Sequence, residues 1–436
     1  MTTKKIKVHK LEGCIEISGD KSISHRALIL GAISIGKTEI INLLESEDIF
    51  STIDVLRSLG IKIKKLKNRW EVIGNGTGGF IEPKKILDCG NSGTTARLML
   101  GAIASNPISC TIVGDKSLSK RSMSRVTNYL EKMGADVKLT KKDYLPLLIS
   151  GNNNLLPMKH VMEKASAQVK SAIILAGLNI KGVTRIVEDK LTRDHTERLL
   201  NYLKVNFTLR KLSNGGREIK LQGPYEIKSK RIVVAGDPSS SAFFIVGALI
   251  VPSSEVTIKN VSLNPSRIAF IDVLKKMGGK IKIKKIGERC GEQIGNITAK
   301  YSKLRGIKIN SFMAPLLIDE YPILSIAASQ ANGKTVMKGL GELRHKESDR
   351  IKSIVYNLKK LNFAVRLKGD DIQIVGKKIS IRSKNTIKTF GDHRIAMSFL
   401  ILSILYDKKI KIDNEKCISI SYPKFKDHLN YLINKS

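Results

Sequence analysis

The sequence predicts an α/β protein of two lobes, each built from three repeated α/β units. Three observations lead to this fold class: an internal repeat, an alternation of helical and strand-like patterns within each repeat, and 42% hydrophobic residues in a chain of 436. That length and composition are enough for two or three domains with proper cores. The repeats open at residues 19, 90, 165, 236, 319 and 391, so that successive openings lie 71 to 83 residues apart.

Each repeat follows the same order of elements. It opens on a polar cluster, as in GDKSISHRALILGA at residue 19, where Ala27 and Leu30 have the spacing of one helix face. A β-branched stretch such as 39–41 then predicts a strand. A second amphipathic segment ends at a signal such as Gly60, and hairpin strands such as 70–73 complete the unit. The predicted order is therefore helix, strand, helix and strand, with the hairpin strands appended.

The six units divide into two lobes of three. We expect residues 20–235 to form the lobe of repeats one to three, and residues 1–19 with 236–436 to form the lobe of repeats four to six. The predicted hinge is Gly236, because glycine tolerates unusual backbone angles. The N-terminal strand 5–18 precedes the first repeat and is therefore assigned to the second lobe.

The net charge of +37 is large, but it does not by itself predict a nucleic-acid-binding protein. Lysine pairs are spread along the whole chain, without a basic tail, aromatic interleaving or a recognition motif. We attribute most of the excess to compositional bias and the rest to anionic substrates. A nucleic-acid-binding repeat protein is the alternative outside the enzymes.

Five scattered cysteines without CxxC spacing, and an N-terminus without an apolar core, predict a cytoplasmic protein in a reducing compartment. No uncharged stretch is long enough to span a bilayer. The seven histidines form no HxxxH or HxH cluster, so we expect neither a metal nor an organic cofactor.

The polar openings coincide with predicted helix starts, where free N–H groups and a partial positive charge attract anions. Arginines in or near them can bind phosphate or carboxylate through two parallel hydrogen bonds. This combination predicts a cleft for two highly anionic substrates, although any one of these residues alone fits a solvated surface better. The charged residues concerned are Lys21, Arg26, Arg121, Arg125, Asp319, Lys346, Glu347, Arg350, His393 and Arg394.

Eight motifs, distributed over essentially the whole chain, resemble the EPSP synthase family. They are GDKSISHRALIL, GNSGTTARLMLG, KRSMSRV, ASAQVKSAIILAG, LTRDHTERLL, IDEYPIL, KESDRI and GDHRIAMS, in that order. The resemblance implies the two-lobed enolpyruvyl-transferase fold and a monomeric, cytoplasmic enzyme of chorismate and aromatic amino-acid biosynthesis. Such an enzyme transfers the enolpyruvyl group of phosphoenolpyruvate to the 5-hydroxyl of shikimate 3-phosphate and releases phosphate.

The resemblance also implies which residues bind the two substrates. Contacts with shikimate 3-phosphate fall on Lys21, Ser22, Arg26, Ser166, Ala167, Gln168 and Arg193. Contacts at or beside phosphoenolpyruvate fall on Lys21, Asn91, Gly93, Thr94, Arg121, His393 and Arg394. Asp319 matches the family's catalytic aspartate, and Lys346, Glu347 and Arg350 match its KE-x-x-R group, which also contacts the substrates. Ala167 stands where one branch of the family has serine, so we expect one hydroxyl contact to be lost. Gly93 borders the space also used by the inhibitor glyphosate, and we expect a glyphosate-sensitive enzyme.

The reaction itself explains why these residue types are needed. The methylene carbon of phosphoenolpyruvate is protonated while the hydroxyl attacks its C2 carbon, and the roles reverse when phosphate leaves. An acid is therefore needed beside the alkene and a base beside the hydroxyl. We expect Asp319 to be the base, with Glu347 and Lys21 handling the methylene proton. Each residue taken alone also fits a purely structural role. Asp319 could be the N-cap of a helix, and Glu347 could be a surface helix carboxylate paired with Arg350 three residues later.

Two further interpretations compete with this one. Residues 31–38 satisfy the P-loop pattern GxxxxGK[ST], but they follow a predicted helix and lead into a strand, the reverse of a true P-loop. The sister enzyme that acts on UDP-N-acetylglucosamine shares the fold, but it differs at the first opening and has a reactive cysteine in the loop equivalent to 115–125. That loop has no cysteine here. We keep this sister activity, UDP-N-acetylglucosamine 1-carboxyvinyltransferase, as the alternative function.

Overall fold

The computed structural model of the chain describes residues 10–141, 143–377, 385–406 and 410–434. These residues form two compact units. The first unit comprises Gly19–Ala235 with Glu288–Glu292, and the second unit comprises the described parts of Met1–Ser18, Gly236–Gly287 and Gln293–Ser436. Helices and strands alternate along both units, which confirms the predicted α/β class.

The strands are numbered in chain order. Up to residue 233 they are β1 (Glu12–Glu16), β2 (Ser34–Ile41), β3 (Lys62–Lys65), β4 (Trp70–Asn75), β5 (Leu87–Asp88), β6 (Ser109–Val113), β7 (Asp136–Lys141), β8 (Tyr144–Ser150), β9 (Lys159–Val161), β10 (Gly182–Glu188), β11 (Phe207–Lys211), β12 (Arg217–Gly223), β13 (Ile227–Lys228) and β14 (Ile232–Val233). They continue as β15 (Glu255–Ser262), β16 (Lys280–Arg289), β17 (Glu292–Lys300), β18 (Lys308–Ile309), β19 (Gly333–Met337), β20 (Ala364–Lys368), β21 (Asp371–Gly376), β22 (Asn385–Ile387) and β23 (Ile410–Ile412).

The α-helices are numbered in the same way. Those of the first unit are α1 (Lys21–Ala32), α2 (Glu47–Ser58), α3 (Gly93–Ala104), α4 (Ser124–Lys132), α5 (Ala167–Gly177) and α6 (His195–Tyr202). Those of the second unit are α7 (Pro238–Ile250), α8 (Ala269–Lys276), α9 (Ala314–Leu317), α10 (Tyr321–Ser329), α11 (Arg350–Lys360), α12 (His393–Ser403) and α13 (Phe425–Asn434). Among the described residues, no single helix is both long and apolar enough to cross a membrane.

In the described residues the strands form six sheets, three in each unit. Five of them place a parallel pair beside antiparallel strands, in the orders β13-β2-β4-β3, β5-β6-β8-β7, β9-β10-β12-β11, β1-β15-β17-β16 and β18-β19-β21-β20. β14 also pairs with β2, and β22 pairs with β23 in the sixth sheet. A parallel pair needs a crossover, and α3 provides it between β5 and β6, as α5 does between β9 and β10.

The opening helix of each repeat is buried almost all round. In α1 every residue from Ile23 to Ala32 is buried, and in α7 every residue of the helix is buried. A helix that is buried on all sides belongs to the core. Second helices such as α2 and α11 expose one face instead. Polar groups at the starts of the opening helices are therefore attached to deeply buried helices of each unit.

Gly236 does not have the unusual backbone angle that the sequence predicted for it. Its φ is not among the positive values of the chain, but a Cβ at this position would lie 3.0 Å from the carbonyl oxygen of Asn260 and 3.1 Å from the side chain of Ile17. Glycine is therefore needed here because two parts of the backbone approach each other closely. The predicted reason, a strained hinge angle, is wrong.

In the first five repeats a left-handed turn follows the second helix, even where the sequence has no glycine. Gly60, Gly134 and Gly278 have φ angles of 87°, 103° and 94° directly after α2, α4 and α8. In the third and fifth repeats Lys204 and Asn362 take the same place with φ angles of 64° and 65°. A left-handed residue commonly ends a helix in this way. The sequence signal was therefore visible only in the repeats that use glycine.

The tip of the β16–β17 hairpin, Glu288–Glu292, belongs to the first unit. His195 Nδ1 lies 2.6 Å from Glu292 Oε1, and both side chains are buried. Arg198 donates a 2.9 Å hydrogen bond to the carbonyl oxygen of Gly291. The sequence contained no signal that this hairpin tip belongs to the first unit, because the contacts join segments about a hundred residues apart.

Candidate active site

The six opening helices begin at the predicted polar clusters. Their first residues are Lys21, Gly93, Ala167, Pro238, Tyr321 and His393. In five of them the preceding side chain accepts a hydrogen bond from a backbone N–H of the first turn, and these caps are Asp20, Ser92, Ser166, Asp237 and Asp392. Three of the caps are carboxylates, which already occupy the positive end of the helix dipole. At those three helices we therefore expect side chains, and not the helix N-terminus itself, to bind further anions.

The predicted site residues fall into two groups, one in each unit. The first cluster contains Lys21, Ser22, Arg26, Asn91, Gly93, Thr94, Arg121, Ser166, Ala167, Gln168 and Arg193. The second cluster contains Asp319, Lys346, Glu347, Arg350, His393 and Arg394. The first cluster draws on repeats one to three, and the second cluster on repeats five and six.

Lys21 is the first residue of α1. Its Nζ lies 2.9 Å from Asp48 Oδ2, and 17% of the lysine side chain is exposed. One turn further along, His25 is fully buried with its Nδ1 2.7 Å from Thr52 Oγ1. Burial, followed by the charges of Lys21 and Arg26, lowers the pKa of His25 well below its usual value. The imidazole is therefore neutral at pH 7, and the cations of this helix start are the lysine and the arginine.

Arg26 is held by three oxygen acceptors. Its Nε donates to Thr196 Oγ1 at 2.7 Å, its Nη2 to Ser171 Oγ at 2.7 Å and its Nη1 to the carbonyl oxygen of Ser22 at 2.9 Å. Thr196 lies on α6 and Ser171 on α5, so one guanidinium joins the first repeat to the third. These bonds orient a buried positive charge on the second turn of α1.

Arg121 lies against the segment that leads into α3. Its Nη2 donates to Asn91 Oδ1 at 2.8 Å and to Ser117 Oγ at 3.0 Å. Asn91 Nδ2 in turn donates to Asp115 Oδ2 at 2.6 Å. Arg121 Nε is buried and finds no hydrogen-bond partner within the described part of the chain. A buried donor without an acceptor is unusual, which favours an anionic ligand at this position.

Gln168 on α5 connects the third repeat to the second. Its Nε2 donates to Thr94 Oγ1 at 2.9 Å, and its Oε1 accepts from Arg97 Nη1 at 2.8 Å. Ser166 caps the same helix, and Ala167 is its first residue. The second and third openings are therefore joined directly through side chains, with Arg97 as a member that the sequence did not predict. The remaining residue of the first cluster, Arg193, is half-buried in the segment between β10 and α6.

Arg350 is the centre of the second cluster. Its guanidinium is 0% exposed, and its Nε donates to Asp392 Oδ2 at 2.8 Å, its Nη2 to Glu347 Oε2 at 2.5 Å and its Nη1 to Asp319 Oδ1 at 3.5 Å. Burial by itself would lower the pKa of Arg350, but the charges of Asp392, Glu347 and Asp319 raise it above its usual value. One fixed cation therefore gathers three carboxylates from three separate segments of the chain.

Asp392 is a member of this cluster that the sequence did not predict. It is fully buried, and its Oδ1 accepts a 2.9 Å hydrogen bond from the backbone N–H of Arg394 at the start of α12. Burial by itself would raise the pKa of Asp392, but Arg350 holds it below its usual value. Asp392 is therefore ionised at pH 7 and fixes both Arg350 and the helix start. His393, the first residue of that helix, is 1% exposed.

Asp319 lies between two arginines. Its Oδ1 is 3.5 Å from Arg350 Nη1 and 3.8 Å from Arg394 Nε, and Arg394 Nη1 donates to the Asp319 carbonyl oxygen at 2.9 Å. The residue in the N-cap position of α10 is Glu320, so the alternative interpretation of Asp319 as a helix cap is wrong. The carboxylate is 16% exposed and can therefore be reached by a small molecule.

Lys346 and Glu347 lie between the 3-10 helix Gly341–His345 and α11, and both are half-buried. Glu347 is thus not on a helix, although its pairing with Arg350, which the spacing indicated, is present. Arg344 anchors this segment, because its Nε donates to Asp370 Oδ1 at 2.8 Å. The loop that carries the lysine and the glutamate is therefore held at both ends by arginines.

The P-loop interpretation is wrong. Residues 31–38 close α1 and begin β2, which is a helix followed by a strand, whereas a P-loop joins a strand to the helix that it opens. Lys37 is 53% exposed on β2, where its Nζ lies 3.5 Å from Glu71 Oε1 and 3.9 Å from Glu39 Oε1. It has no part in either cluster.

Three residues missed by sequence reasoning differ in the signal that could have revealed them. Asp392 directly precedes His393 in GDHR, and aspartate is a preferred helix cap, so it could have been included. Arg97 follows Thr94 by three residues on α3, which places the two side chains on one helix face. Thr196 has no local signal, because its partner Arg26 lies 170 residues away.

No cluster of three or more histidine, cysteine, aspartate or glutamate side chains that could hold a metal ion is found in residues 10–141, 143–377, 385–406 and 410–434. The two clusters place fixed arginine and lysine charges beside carboxylates that can exchange protons.

Comparisons with known proteins extend over nearly the whole chain. The profile of the family described as EPSP synthase (3-phosphoshikimate 1-carboxyvinyltransferase) matches residues 6–429. The 3-phosphoshikimate 1-carboxyvinyltransferase of Zymomonas mobilis is 42% identical to this chain, and the match covers 96% of this chain and 93% of that protein. The 3-phosphoshikimate 1-carboxyvinyltransferase of Bacillus cereus (strain G9842) is 43% identical, and the match covers 97% of each chain.

Solved structures give the same result. The EPSP synthase of Acinetobacter baumannii is 36% identical and superposes with a TM-score of 0.84, covering 97% of this chain and 96% of that one. The enolpyruvyl transferase NikO of Streptomyces tendae is 14% identical with a TM-score of 0.78, over 97% of this chain and 95% of that one. At that identity NikO shows a shared fold alone.

Proposed function

This chain belongs to the EPSP synthase family, and we propose that its first cluster binds the anionic substrates while its second cluster moves the protons. The family transfers the enolpyruvyl group of phosphoenolpyruvate to the 5-hydroxyl of shikimate 3-phosphate and releases phosphate. The sister activity on UDP-N-acetylglucosamine has no support from the relatives. The observation that carries the proposal is the gathering of Asp319, Glu347 and Asp392 around the buried Arg350.

We assign the base to Asp319. Its partly exposed carboxylate, fixed by Arg350 and Arg394, takes the proton of the 5-hydroxyl as the oxygen bonds to C2 of phosphoenolpyruvate. Glu347 and Lys21 deliver a proton to the methylene carbon, and removal of a proton from the resulting methyl group then accompanies loss of phosphate. In this second step the Glu347–Lys21 pair takes the proton back from the methyl group, and Asp319 gives its proton to the departing phosphate. The two steps together therefore return the residues to their starting state.

The positive charges stabilise substrates and transition states that carry several negative charges. Arg394 binds the carboxylate of phosphoenolpyruvate, with His393 beside it. Arg350 and Lys346 add further positive charge that stabilises the anionic substrates. In the first cluster Arg121, Asn91, Gly93 and Thr94 border phosphoenolpyruvate. The rest of that cluster binds shikimate 3-phosphate through Lys21, Ser22, Arg26, Ser166, Ala167, Gln168 and Arg193. Charges that are oriented before the substrate arrives need no reorganisation during the reaction, which makes them effective catalytically.

The function is tested by phosphate release from the purified protein. Release is expected only when shikimate 3-phosphate and phosphoenolpyruvate are both present, with the enolpyruvyl ether as the second product. Release with UDP-N-acetylglucosamine in place of shikimate 3-phosphate would contradict the assignment.

Gly93→Ala is expected to weaken inhibition by glyphosate strongly and binding of phosphoenolpyruvate mildly. A Cβ at Gly93 would lie 3.1 Å from Arg97 Nη1 and 3.5 Å from Arg121 Nη1, so the methyl group enters the space beside the predicted phosphoenolpyruvate contact. Glyphosate is the longer molecule and is therefore affected more. The inhibition constant and the KM for phosphoenolpyruvate are measured in both forms.

An equal change in the two constants, or an insensitive wild-type enzyme, would show that Gly93 does not border this space. The control variant is Ser119→Ala, in the 3-10 helix Leu118–Lys120, which removes only a hydrogen bond to the carbonyl oxygen of Gly114. It is expected to change neither constant.

Lys37→Ala is expected to leave kcat and both KM values within about twofold of the wild type. The lysine is exposed on β2 and pairs only weakly with Glu71, so its loss has little effect on stability either. Hydrolysis of ATP by the pure protein, abolished by this change, would instead revive the nucleotide-binding interpretation.

We further propose a cytoplasmic monomer that binds neither nucleic acid nor membrane. The diffuse distribution of its lysines supports this, because tight nucleic-acid binding depends on a concentrated patch that releases many counterions. Sedimentation at physiological salt tests the monomeric state when the protein is alone, and the absence of nucleic-acid binding when duplex DNA is added.

A further inference from the structure

The third repeat contains a buried ion cluster to which the proposed reaction gives no role. We call it the Lys170 triad, formed by Lys170, Glu188 and Glu197. The lysine side chain is 0% exposed, and its Nζ lies 3.1 Å from Glu188 Oε2 and 2.6 Å from Glu197 Oε1. Taking three charges out of water is costly, so such a cluster persists only where its partners are held in place.

The triad joins three elements of the third repeat that carry or flank residues of the first cluster. Lys170 lies on α5, Glu188 is the last residue of β10, and Glu197 lies in the first turn of α6. Thr192 donates a 2.9 Å hydrogen bond to Glu188 Oε2, which ties down the segment between β10 and α6. That segment also carries Arg193. The triad therefore fixes the position of one predicted substrate contact through the chain next to it.

The sequence neighbours of the triad hold a second predicted contact, Arg26. Ser171 follows Lys170 on α5, and Thr196 precedes Glu197 on α6. The two hydroxyl oxygens are 2.7 Å apart, and each accepts a 2.7 Å hydrogen bond from the Arg26 guanidinium. The two helices that Lys170 joins by charge are thus the same two helices that orient Arg26.

We propose that Lys170 is a positioning residue for shikimate 3-phosphate. By joining α5 to α6 it keeps Ser171 and Thr196 at the separation that orients Arg26, and it holds the Arg193 segment against β10. Lys170 is fully buried and acts only through these residues. The inference rests on the proposed role of Arg26 in binding shikimate 3-phosphate. Without the lysine, two like charges would remain buried between these elements and push them apart.

The test uses the double variant K170M/E197Q. It removes the ammonium group together with one of the two carboxylates, so the site keeps the same net charge and no new like-charge repulsion arises. We expect the KM for shikimate 3-phosphate to rise about tenfold, while kcat and the KM for phosphoenolpyruvate change less than about threefold. Binding of shikimate 3-phosphate alone, measured by calorimetry, weakens by the same factor as its KM rises.

Two further variants make the result decisive. Leu147→Ala removes a fully buried side chain from β8 of the second repeat, and it is expected to lower Tm without changing the KM for shikimate 3-phosphate. Arg26→Lys is expected to raise that KM directly. If K170M/E197Q lowers Tm but leaves the KM unchanged while Arg26→Lys raises it, the triad is merely structural and this inference is wrong. If Arg26→Lys itself has no effect, the proposed role of Arg26 is wrong, and the inference falls with it.

Discussion

Replacing Asp319 by asparagine, or Glu347 by glutamine, is expected to lower kcat by about 10²- to 10⁴-fold in a protein that stays folded. Each amide keeps the shape of the carboxylate but cannot accept a proton. Asp319 and Glu347 are 16% and 22% exposed, so the loss of either charge leaves Arg350 still paired with buried Asp392. The measurement is phosphate release at saturating concentrations of both substrates, with near-ultraviolet circular dichroism as the test of folding.

A matched change outside the cluster separates the loss of a proton acceptor from a general effect of charge. Glu255→Gln removes an exposed carboxylate of the second unit that pairs with Lys300 across β15 and β17. It is expected to leave kcat unchanged. Near-normal turnover of both Asp319→Asn and Glu347→Gln would overturn the proton-transfer mechanism, and loss of turnover in only one would restrict it to that residue.

Asp392→Asn is expected to lower the free energy of unfolding by about 3–5 kcal/mol, the usual effect of breaking a buried ion pair from one side. The carboxylate is 0% exposed and bonds to Arg350 Nε, which is equally buried. The same change weakens the cap of α12 and removes the charged partner of Arg350 Nε, so a lower kcat is expected as well. Urea unfolding monitored by circular dichroism measures the first effect, and phosphate release measures the second.

The stability effect of Asp392 has a definite dependence on pH. Arg350 holds the pKa of Asp392 below its ordinary value, so the native state favours the ionised form. The contribution is therefore fully present above the pKa of an unfolded aspartate, about 4, and is lost as the pH falls below it. The difference between wild type and Asp392→Asn is expected to be constant from about pH 7 to pH 5 and to shrink below about pH 4. A difference that grew on acidification would contradict this ion-pair account.

The sequence by itself determined the class of fold, the start of each opening helix and the family. Each of these depends on residues that are close together along the chain. The helical spacing of Ala27 and Leu30, the polar clusters at the repeat openings, and motifs such as GDHRIAMS are local patterns. Local patterns survive into the structure because helix periodicity and capping are decided within a few residues.

The tertiary structure alone decided which charges that are distant in the chain meet. Arg350 and Asp392 are 42 residues apart in the chain, and Arg26 and Thr196 are 170 apart, yet each pair is hydrogen-bonded. The same holds for Gly236, whose role comes from the carbonyl group of Asn260 and not from its own backbone angle. Such contacts arise where buried helices from different repeats pack side by side, and a residue's own neighbours carry no record of that packing. For this reason the sequence predicted Arg350 and Arg26 as site residues, but it carried no signal for the bond between Arg350 and Asp392 or for the bond between Arg26 and Thr196.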